Sequence, residues 1–363
     1  MSSSSPRLFL LVALLLMLNA CTSFGPGAIR HSRTDYNVVL QKTSDEQMLL
    51  NLVRLRYRDR PLFLEISALT TQFKFSPQIS ASISDGSGLA ASGSLYGEIG
   101  FEEKPSVTYT PLQGKAFVQR VMSPISWRTL ELLDNVGWRS DRVLRLCVQS
   151  MNGLGNAITA SGPTPDRAPP YAGFRRAATL YNHLKQHNLV RSFRAKEKHQ
   201  ERVVQMLEFR PEALATEEYR ELMKLLKLKT GQPRVEVLLN NTVSLPNALQ
   251  VETRSFAGVL YFLSQSVMVP QQDIDAGRVT VTHDDQGRVF DWNRVTGGLM
   301  KILSSKEEPD NAAVKIHYRG NWFYIDDSDL DSKSTFSLLG QLFSLQSGDI
   351  KSSGPVLTLP VGG

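Results

Sequence analysis

The sequence lacks the short motifs that are typical of nucleotide-binding enzymes and of the common hydrolases. It contains no GxxxxGK phosphate-binding loop and no HExxH zinc-protease signature. The Gly-Ser-Gly at 86–88 is not a GxSxG nucleophile elbow, and the Gly-Leu-Gly at 153–155 lacks the third glycine of a dinucleotide-binding loop. These absences argue against familiar nucleotide enzymes and hydrolases, whereas an active site without a known motif stays open.

Cysteine is scarce, and extremes of composition are absent. Only Cys21 and Cys147 occur in 363 residues, 41% of residues are hydrophobic and 21% are charged. This balance is close to that of ordinary globular proteins and excludes wholesale disorder. The net charge of +6 is spread along the chain. A mildly basic protein suits proximity to an anionic membrane or wall, but this charge identifies no partner.

The N-terminus carries a short apolar run, at 8–18, followed by Leu18, Asn19, Ala20 and Cys21. Such a run is too short to span a bilayer, which needs about 20 residues, but has the length of a secretory signal. The segment resembles a bacterial lipoprotein signal peptide, with Leu18, Ala20 and Cys21 at the matching positions. Asn19 departs from the pattern, in which a small or β-branched residue is usual.

The resemblance implies that 1–20 is a cleaved signal peptide and that Cys21 receives the lipid. Because a lipidated Cys21 cannot pair, Cys147 is a lone thiol. It lies in a helix-like stretch and is interpreted as a small buried hydrophobic residue rather than a reactive nucleophile. Thr22 follows the cysteine, where inner-membrane lipoproteins usually have Asp. The resemblance to sorted lipoproteins therefore implies the outer membrane, with the leaflet open and the periplasmic side favoured.

Mixed helical and strand-like patterns predict an α+β fold of antiparallel strands and helices in two subdomains. We expect a lipidated tether at 21–42, an N-terminal region with a helix, β-rich segments and further helices at 43–155, and a linker at 156–172. The stretch 153–170, which has four prolines and three glycines, marks this boundary. A C-terminal α+β domain follows at 173–363.

The first helix is expected to begin at Ser44, because Ser44 and Gln47 form a capping-box pattern. Short strands are predicted after it, and the polar stretch 102–105 is predicted to be the turn of a hairpin. The predicted strands of this region are 62–66, 72–75, 79–84, 94–101 and 106–110. Further helices are predicted at 114–122, 124–135, 141–151, 174–188, 216–227, 256–268 and 333–345. Further strands are predicted at 203–208, 235–240, 249–253, 279–283, 288–292, 313–318, 322–325 and 356–360.

Four arginines, Arg54, Arg56, Arg58 and Arg60, alternate along the end of the first predicted helix. Guanidinium groups suit an anionic surface, a lipid headgroup or a glycan phosphate. On a helix, however, alternate positions lie on different faces, so only residues four apart share one. Two interpretations of the four arginines therefore stay open, an anion-binding site and a solvated helix end. Nucleic acid is not expected in an exported compartment.

Asp327, Asp329 and Asp331 match the first three ligand positions of a calcium loop, but the sixth position is Ser332 and the twelfth is Leu338. These aspartates are weak metal candidates. They are interpreted instead as the cap of a following helix. His183 and His187 have a metal-binding spacing, with His199 the other nearby histidine, yet two ligands do not close a site.

Two hypotheses for the mature chain follow. The first is a lipid-anchored module at the outer membrane with a structural or protein-interaction role, an envelope protein as partner and no cofactor. The alternative is an envelope hydrolase, or a binder of wall glycan or anionic glycolipid. A hydrolase would be favoured if some of His283, the aspartates at 326–331, and Tyr318 or Trp322 met in one cleft. The segments 314–327 and 357–360 resemble a family of bacterial envelope proteins, and that resemblance implies no activity.

Overall fold

The computed structural model describes residues 24–84, 92–163, 165–196, 203–240, 245–347 and 357–360. The predicted signal peptide and Cys21 lie outside these ranges. Helices and strands alternate in mixed order, and the paired strands are antiparallel apart from one parallel pair. The predicted α+β class is confirmed.

The helices of the described ranges are numbered in chain order. They are α1 (Phe24–Arg56), α2 (Lys115–Met122), α3 (Trp127–Asn135), α4 (Ser140–Cys147), α5 (Ala172–Gln186), α6 (Pro211–Leu214), α7 (Glu217–Leu225), α8 (Phe256–Ser264), α9 (Gln271–Asp275), α10 (Asn293–Thr296) and α11 (Leu330–Ser347).

The strands form three sheets. They are β1 (Leu64–Ser84), β2 (Ser92–Pro111), β3 (Val148–Met151), β4 (Leu154–Gly155), β5 (Val190–Lys196), β6 (Val203–Phe209), β7 (Arg234–Leu239), β8 (Leu249–Thr253), β9 (Leu303–Ser305), β10 (Ala312–Tyr318), β11 (Asn321–Asp326) and β12 (Leu357–Pro360). Their orders are β1-β2-β12, β10-β11-β9 and β4-β3-β8-β7-β6-β5.

Helix α1 begins well before the predicted start at Ser44. The described part of the expected tether, 24–42, is helical and continues without a break to Arg56. Its Gly25-Pro26-Gly27 sequence resembles a helix breaker. Pro26 falls in the first turn of the helix, however, where a backbone N–H has no intrahelical acceptor and proline is tolerated.

Strands β1 and β2 form one long antiparallel hairpin. Their register runs from the pair Leu64–Pro111 to the pair Ser84–Ser92, with one irregularity near Ile66. The short strands predicted in this region are therefore parts of two long ones. The predicted turn at 102–105 is wrong, because these residues continue β2 and pair with 71–74.

The six-stranded sheet joins segments from both sides of the predicted linker, since β3 pairs with β8. The linker residues 156–172 also contribute to the interior. Asn156, Ala157 and Ala160 are buried, and a short 3₁₀ helix occupies Ile158–Ser161. The predicted helix at 141–151 ends at Cys147, after which the chain extends as β3. The apolar residues of 141–151 are compatible with a helix or a strand, because a buried helix and a buried strand cannot be distinguished by periodicity over so short a stretch.

One face of this sheet is covered by helices α3, α4, α5 and α7. Leu207, Phe209, Val235 and Val251 are almost fully buried on the sheet side. The small sheet of β9, β10 and β11 packs beside the C-terminal end of α1, where the Tyr57 and Phe323 rings lie 6.1 Å apart. The predicted strands at 279–283 and 288–292 are wrong, because only isolated bridges occur at His283.

Candidate functional site

The four alternating arginines do not form a continuous anion-binding patch. Arg56 donates to the Thr280 backbone carbonyl at 3.0 Å, and Arg58 donates to the Thr280 hydroxyl. Arg54 lines a groove beside the hairpin, whereas Arg60 lines a separate one. The residues therefore contact different surfaces, and two of them attach α1 to the chain near Thr280.

The same end of α1 carries a buried polar network that the sequence analysis missed. The Tyr57 hydroxyl donates to Asp273 at 2.6 Å, and Asp273 also accepts from Arg278 at 2.5 Å. Asp59 accepts from Tyr318 and Arg319 of the β10–β11 hairpin. No sequence motif links Tyr57 and Asp59 to these partners, which lie more than 200 positions further along the chain. The network fastens α1 to two distant segments.

The pKa values in this network favour charged carboxylates and neutral tyrosine. Burial opposes ionisation of Asp273, but hydrogen bonds from Tyr57 and Arg278 lower its pKa overall. Burial, and then the hydrogen bond to Asp273, raises the pKa of Tyr57. Burial lowers the pKa of Arg56 to about 10. Each pKa shift follows from burial and from contacts within the fold. The network therefore has a structural role, in which it attaches the end of α1 to the rest of the protein.

The aspartates at 326–331 cap helix α11 and form ion pairs. Asp329 accepts from the Ser332 backbone N–H at 3.0 Å and from its hydroxyl at 2.6 Å. Asp327 pairs with Lys333, and Asp331 pairs with Arg142. Hydrogen bonds from Ser328 hold the pKa of Asp326 below its usual range. The capping interpretation is confirmed. In the described ranges, no group of three or more His, Cys, Asp or Glu could hold a metal ion.

The residues required for the hydrolase alternative have separate partners. The His283 backbone pairs with 166–168, where its N–H donates to Asp166 at 3.0 Å. Tyr318 contacts Asp59, and the Trp322 ring lies 5.2 Å from His317. Within the part of the chain that is described, no hydrogen bond joins His283 to any other side chain of this set.

The rings of His183 and His187 lie at the end of α5 with their centres 4.3 Å apart and their planes tilted by 44°. His187 Nδ1 contacts the His183 carbonyl at 2.9 Å, and His183 faces Glu218 at 3.8 Å. His199 lies outside the described residues. These contacts belong to a helix end that packs beside α7.

Cys147 is fully buried, as predicted, and burial raises the pKa of its thiol to about 12. Beside it lies Arg254, which is 1% exposed. The Arg254 guanidinium is surrounded by oxygen acceptors and stacks on Phe262, 4.2 Å from the ring centre. The acceptors are the carbonyls of Arg145, Leu146, Val148 and Asn156 and the hydroxyl of Ser161. Burial lowers the pKa of Arg254 to about 9.

A mainly apolar cavity of about 110 Å³ lies between the helical layer and the six-stranded sheet. Its apolar wall includes Met151, Ala177, Leu222 and Val251. The lining also includes polar residues, among them Glu131, Asp134, Tyr181 and Ser192. Trp127 contributes an indole N–H that is buried and, in the described part of the chain, has no hydrogen-bond partner. Burial raises the pKa of Tyr181. This combination suits a ligand with a small apolar group.

The base of the long hairpin is clamped to α1 by two side-chain amides. Asn51 donates to the Leu62 carbonyl at 2.8 Å and accepts from the Leu62 N–H at 2.9 Å. Four residues earlier on the helix, Gln47 makes the same two bonds with Leu64. At its base, β1 therefore runs antiparallel to α1. β1 starts out toward the N-terminal end of α1, and the first strand residues share a groove with 37–47 of that helix.

Comparisons with protein-family models, with curated proteins and with solved structures give no match to this chain. Among the helices of the described ranges, none has the length and apolar character needed to cross a membrane. Two features of the described chain are candidate functional sites. They are the β1–β2 hairpin, with its clamp on α1, and the apolar cavity.

Proposed function

We propose that this chain is a lipid-anchored protein on the periplasmic side of the outer membrane, and that its body acts as an interaction module. The observation that carries the interaction role is the β1–β2 hairpin. Each strand has about twenty residues, whereas strands of globular proteins usually have three to ten. In the described chain, the third strand of that sheet covers only 106–109 of β2. A long hairpin with open edges supports a role in binding other chains.

The anchor is supported by the N-terminal sequence. Leu18, Ala20 and Cys21 match the pattern of a lipidated signal, and α1 begins three residues after the cysteine. Each acyl CH₂ buried in a bilayer contributes about 0.8 kcal/mol, so several chains hold a protein stably without a spanning helix.

Mass spectrometry of the purified N-terminus, combined with membrane fractionation, tests the anchor. We expect acylated Cys21 as the first residue and recovery in the outer-membrane fraction. Cys21→Ala should abolish acylation, whereas Cys147→Ala should leave it unchanged. An unmodified N-terminus, or an inner-membrane location, would contradict the proposal.

Crosslinking in intact envelopes, followed by identification of co-purified chains, tests the interaction role. A protein partner or a second copy should be recovered with the wild type and lost with Cys21→Ala. Recovery of wall fragments or glycolipid alone would favour the ligand-binding alternative instead.

The cavity supports a second candidate function, the binding of a molecule with a small apolar group. Its volume approaches that of the roughly 150 Å³ apolar cavity that accepts benzene in a well-studied engineered protein. Benzene is therefore a suitable probe, and it should raise the melting temperature of the wild type. Ala177→Leu would fill the cavity and remove this effect. An equal response of both proteins would exclude the cavity as the site.

We put forward no hydrolase or anion-binding function. His283, the aspartates at 326–331 and Tyr318 have separate structural partners, and the arginines at 54–60 lie on different surfaces.

A further inference from the structure

The β1–β2 register places apolar residue types on one face of the distal hairpin. Directly opposed residues of antiparallel strands lie on the same face, and successive residues alternate between faces. Five consecutive register pairs on one face combine only apolar residues and glycine. These pairs are Phe75–Phe101, Pro77–Ile99, Ile79–Gly97, Ala81–Leu95 and Ile83–Gly93.

The other face of the same distal part is polar in sequence. Its register pairs are Ser76–Gly100, Gln78–Glu98, Ser80–Tyr96, Ser82–Ser94 and Ser84–Ser92. Closer to the folded body, the first face also gains a charge, because Phe73 is paired with Glu103. The uninterrupted apolar face is therefore confined to 75–83 and 93–101, about nine residues on each strand.

The position of this face can be compared with the lipid anchor. Gln47 is level with Leu64, and from Gln47 back to Phe24 the helix rises about 35 Å. From Leu64 to Ser84 the strand rises about 66 Å along its own axis, and its first residues head toward the N-terminal end of α1. The strand is therefore about 30 Å longer than this part of the helix, and this difference equals the thickness of the hydrocarbon core of a bilayer.

Counted from Leu64, this excess length begins near Phe75, where the uninterrupted apolar face also begins. Two features thus coincide: the excess length of the strand over the helix and the limits of the apolar face. A strand of nine to eleven residues is also the length that crosses a bilayer when tilted.

Inside a bilayer, the backbone N–H and C=O groups along an open strand edge need hydrogen-bond partners. In the described chain, no strand pairs with the outer edge of β1, and β12 covers β2 only at 106–109. Within lipid, an unpaired backbone N–H or C=O costs several kcal/mol. A second copy offers the complementary edges at the same depth, because every copy is anchored at the same residue.

Building on the proposed lipid anchor, we infer that the distal hairpin, 75–84 and 92–101, enters the bilayer with its apolar face toward the acyl chains. Neighbouring copies of this chain pair with its open edges. Several copies thereby assemble side by side in the membrane through their hairpins. The folded body of each copy stays outside the hydrocarbon core.

The test uses the full lipidated chain in vesicles of phosphatidylcholine and phosphatidylglycerol. A single bimane label is placed at Ile79→Cys or at Ser80→Cys, adjacent residues on opposite faces and at the same depth. We expect nitroxide-labelled lipid to quench position 79 at least threefold more strongly than position 80. Leu69→Cys, on the same face but before the apolar stretch, provides the control and should not be quenched.

Two outcomes would overturn the insertion. One is a water-exposed signal at position 79 that matches the signal at position 69. The other is a shielded position 79 that lipid nitroxides do not quench, which would mean that protein covers the face. Ile79→Glu should abolish quenching of a label at Ile83→Cys, whereas Ser80→Glu should preserve it. Equal near-ultraviolet circular dichroism would show that both variants fold.

Pairing between copies is tested by mixing two variants in one vesicle. Copies with Glu98→Cys are combined with copies that carry a cysteine at Ser76, Gln78 or Ser80. Edge pairing should give a disulfide-linked dimer in at least one combination, and its absence from all three would overturn the pairing. Flotation of the same vesicles reports the anchor separately. A floating protein with position 79 in water would contradict only the insertion, whereas a protein without lipid on Cys21 would contradict the proposed function.

Discussion

Arg254 illustrates how single buried polar residues organise this protein. Its guanidinium lies beside Cys147 and donates to carbonyls at the end of α4 and in β3, as well as to Asn156. Without it, several buried carbonyl groups would lose a donor. One arginine thus connects α4, β3 and the 3₁₀ helix that follows, although the sequence around it resembles no motif.

Replacing Arg254 with methionine should lower the free energy of unfolding by about 3–5 kcal/mol, because the buried acceptors lose a charged donor. Urea unfolding of the two proteins measures the difference. Arg128→Met, on the exposed side of α3, is the matched control and should change stability by no more than about 0.5 kcal/mol. A small effect of Arg254→Met would show that water replaces the guanidinium.

Asp273 should make stability depend on acid pH. Its pKa is lowered in the folded protein, so its stabilising effect is present above its unfolded pKa, near 3.8, and is lost as the pH falls through the folded value. Asp273→Asn should therefore lower the free energy of unfolding at pH 7 by about 1–3 kcal/mol.

Unfolding measured from pH 2 to pH 7 checks this prediction. The difference between wild type and Asp273→Asn should shrink below about pH 3.8. Asp59 retains its own lowered pKa, so some acid dependence should persist in the variant. The exposed Asp275→Asn serves as control. A difference that does not change with pH would mean that the charge of Asp273 contributes nothing.

At the scale of elements, the sequence identified strands and helices better than their extents. β8 has the predicted limits, and the alternation of β1 and β2 was recognisable in pieces. The register that joins these pieces was not, because Glu102-Glu103-Lys104-Pro105 resembles a turn. The start of α1 was also missed, because local composition suggested a flexible segment. Pairing partners and helix termini depend on contacts distant in sequence, which a single-sequence pattern does not contain.

The clamp between α1 and β1 gives a prediction for one element pair. Asn51 is fully buried and makes two hydrogen bonds with the Leu62 backbone. Asn51→Leu should cost about 1–3 kcal/mol, because two hydrogen bonds between the buried Asn51 amide and the Leu62 backbone are lost. Hydrogen exchange at the Leu62 amide should accelerate more than tenfold.

Gln47→Met provides the comparison for this measurement. Gln47 makes the equivalent bonds with Leu64 in a more exposed position, so its replacement should cost about 0.5–1 kcal/mol and affect mainly the Leu64 amide. Unchanged exchange at Leu62 in Asn51→Leu would show that the strand base is held by other contacts.

At the scale of the whole molecule, α1 and the base of the hairpin are held against each other. The helix runs from Phe24 toward the polar network at Tyr57, and the first residues of β1 start back toward the N-terminal end of the helix. Asp273, Tyr318 and Thr280 fix the far end of the helix to the body. A firmly held helix of defined length can therefore set the distance between a lipidated Cys21 and the hairpin. The proposed insertion depends on this distance as much as on the apolar face.

Lengthening α1 should accordingly withdraw the hairpin from the bilayer. Insertion of 22 residues of a helix-forming Glu-Ala-Ala-Ala-Lys sequence after Asp35 adds about six turns, or 33 Å, slightly more than the hydrocarbon thickness. Lipid nitroxides should then no longer quench a label at Ile79→Cys, although the protein still floats with vesicles. The same insertion after Glu307, in the exposed loop between β9 and β10, should leave quenching unchanged. If quenching persists with the longer helix, the depth of the hairpin does not depend on the length of α1. That outcome would contradict the proposed relation between helix length and strand length.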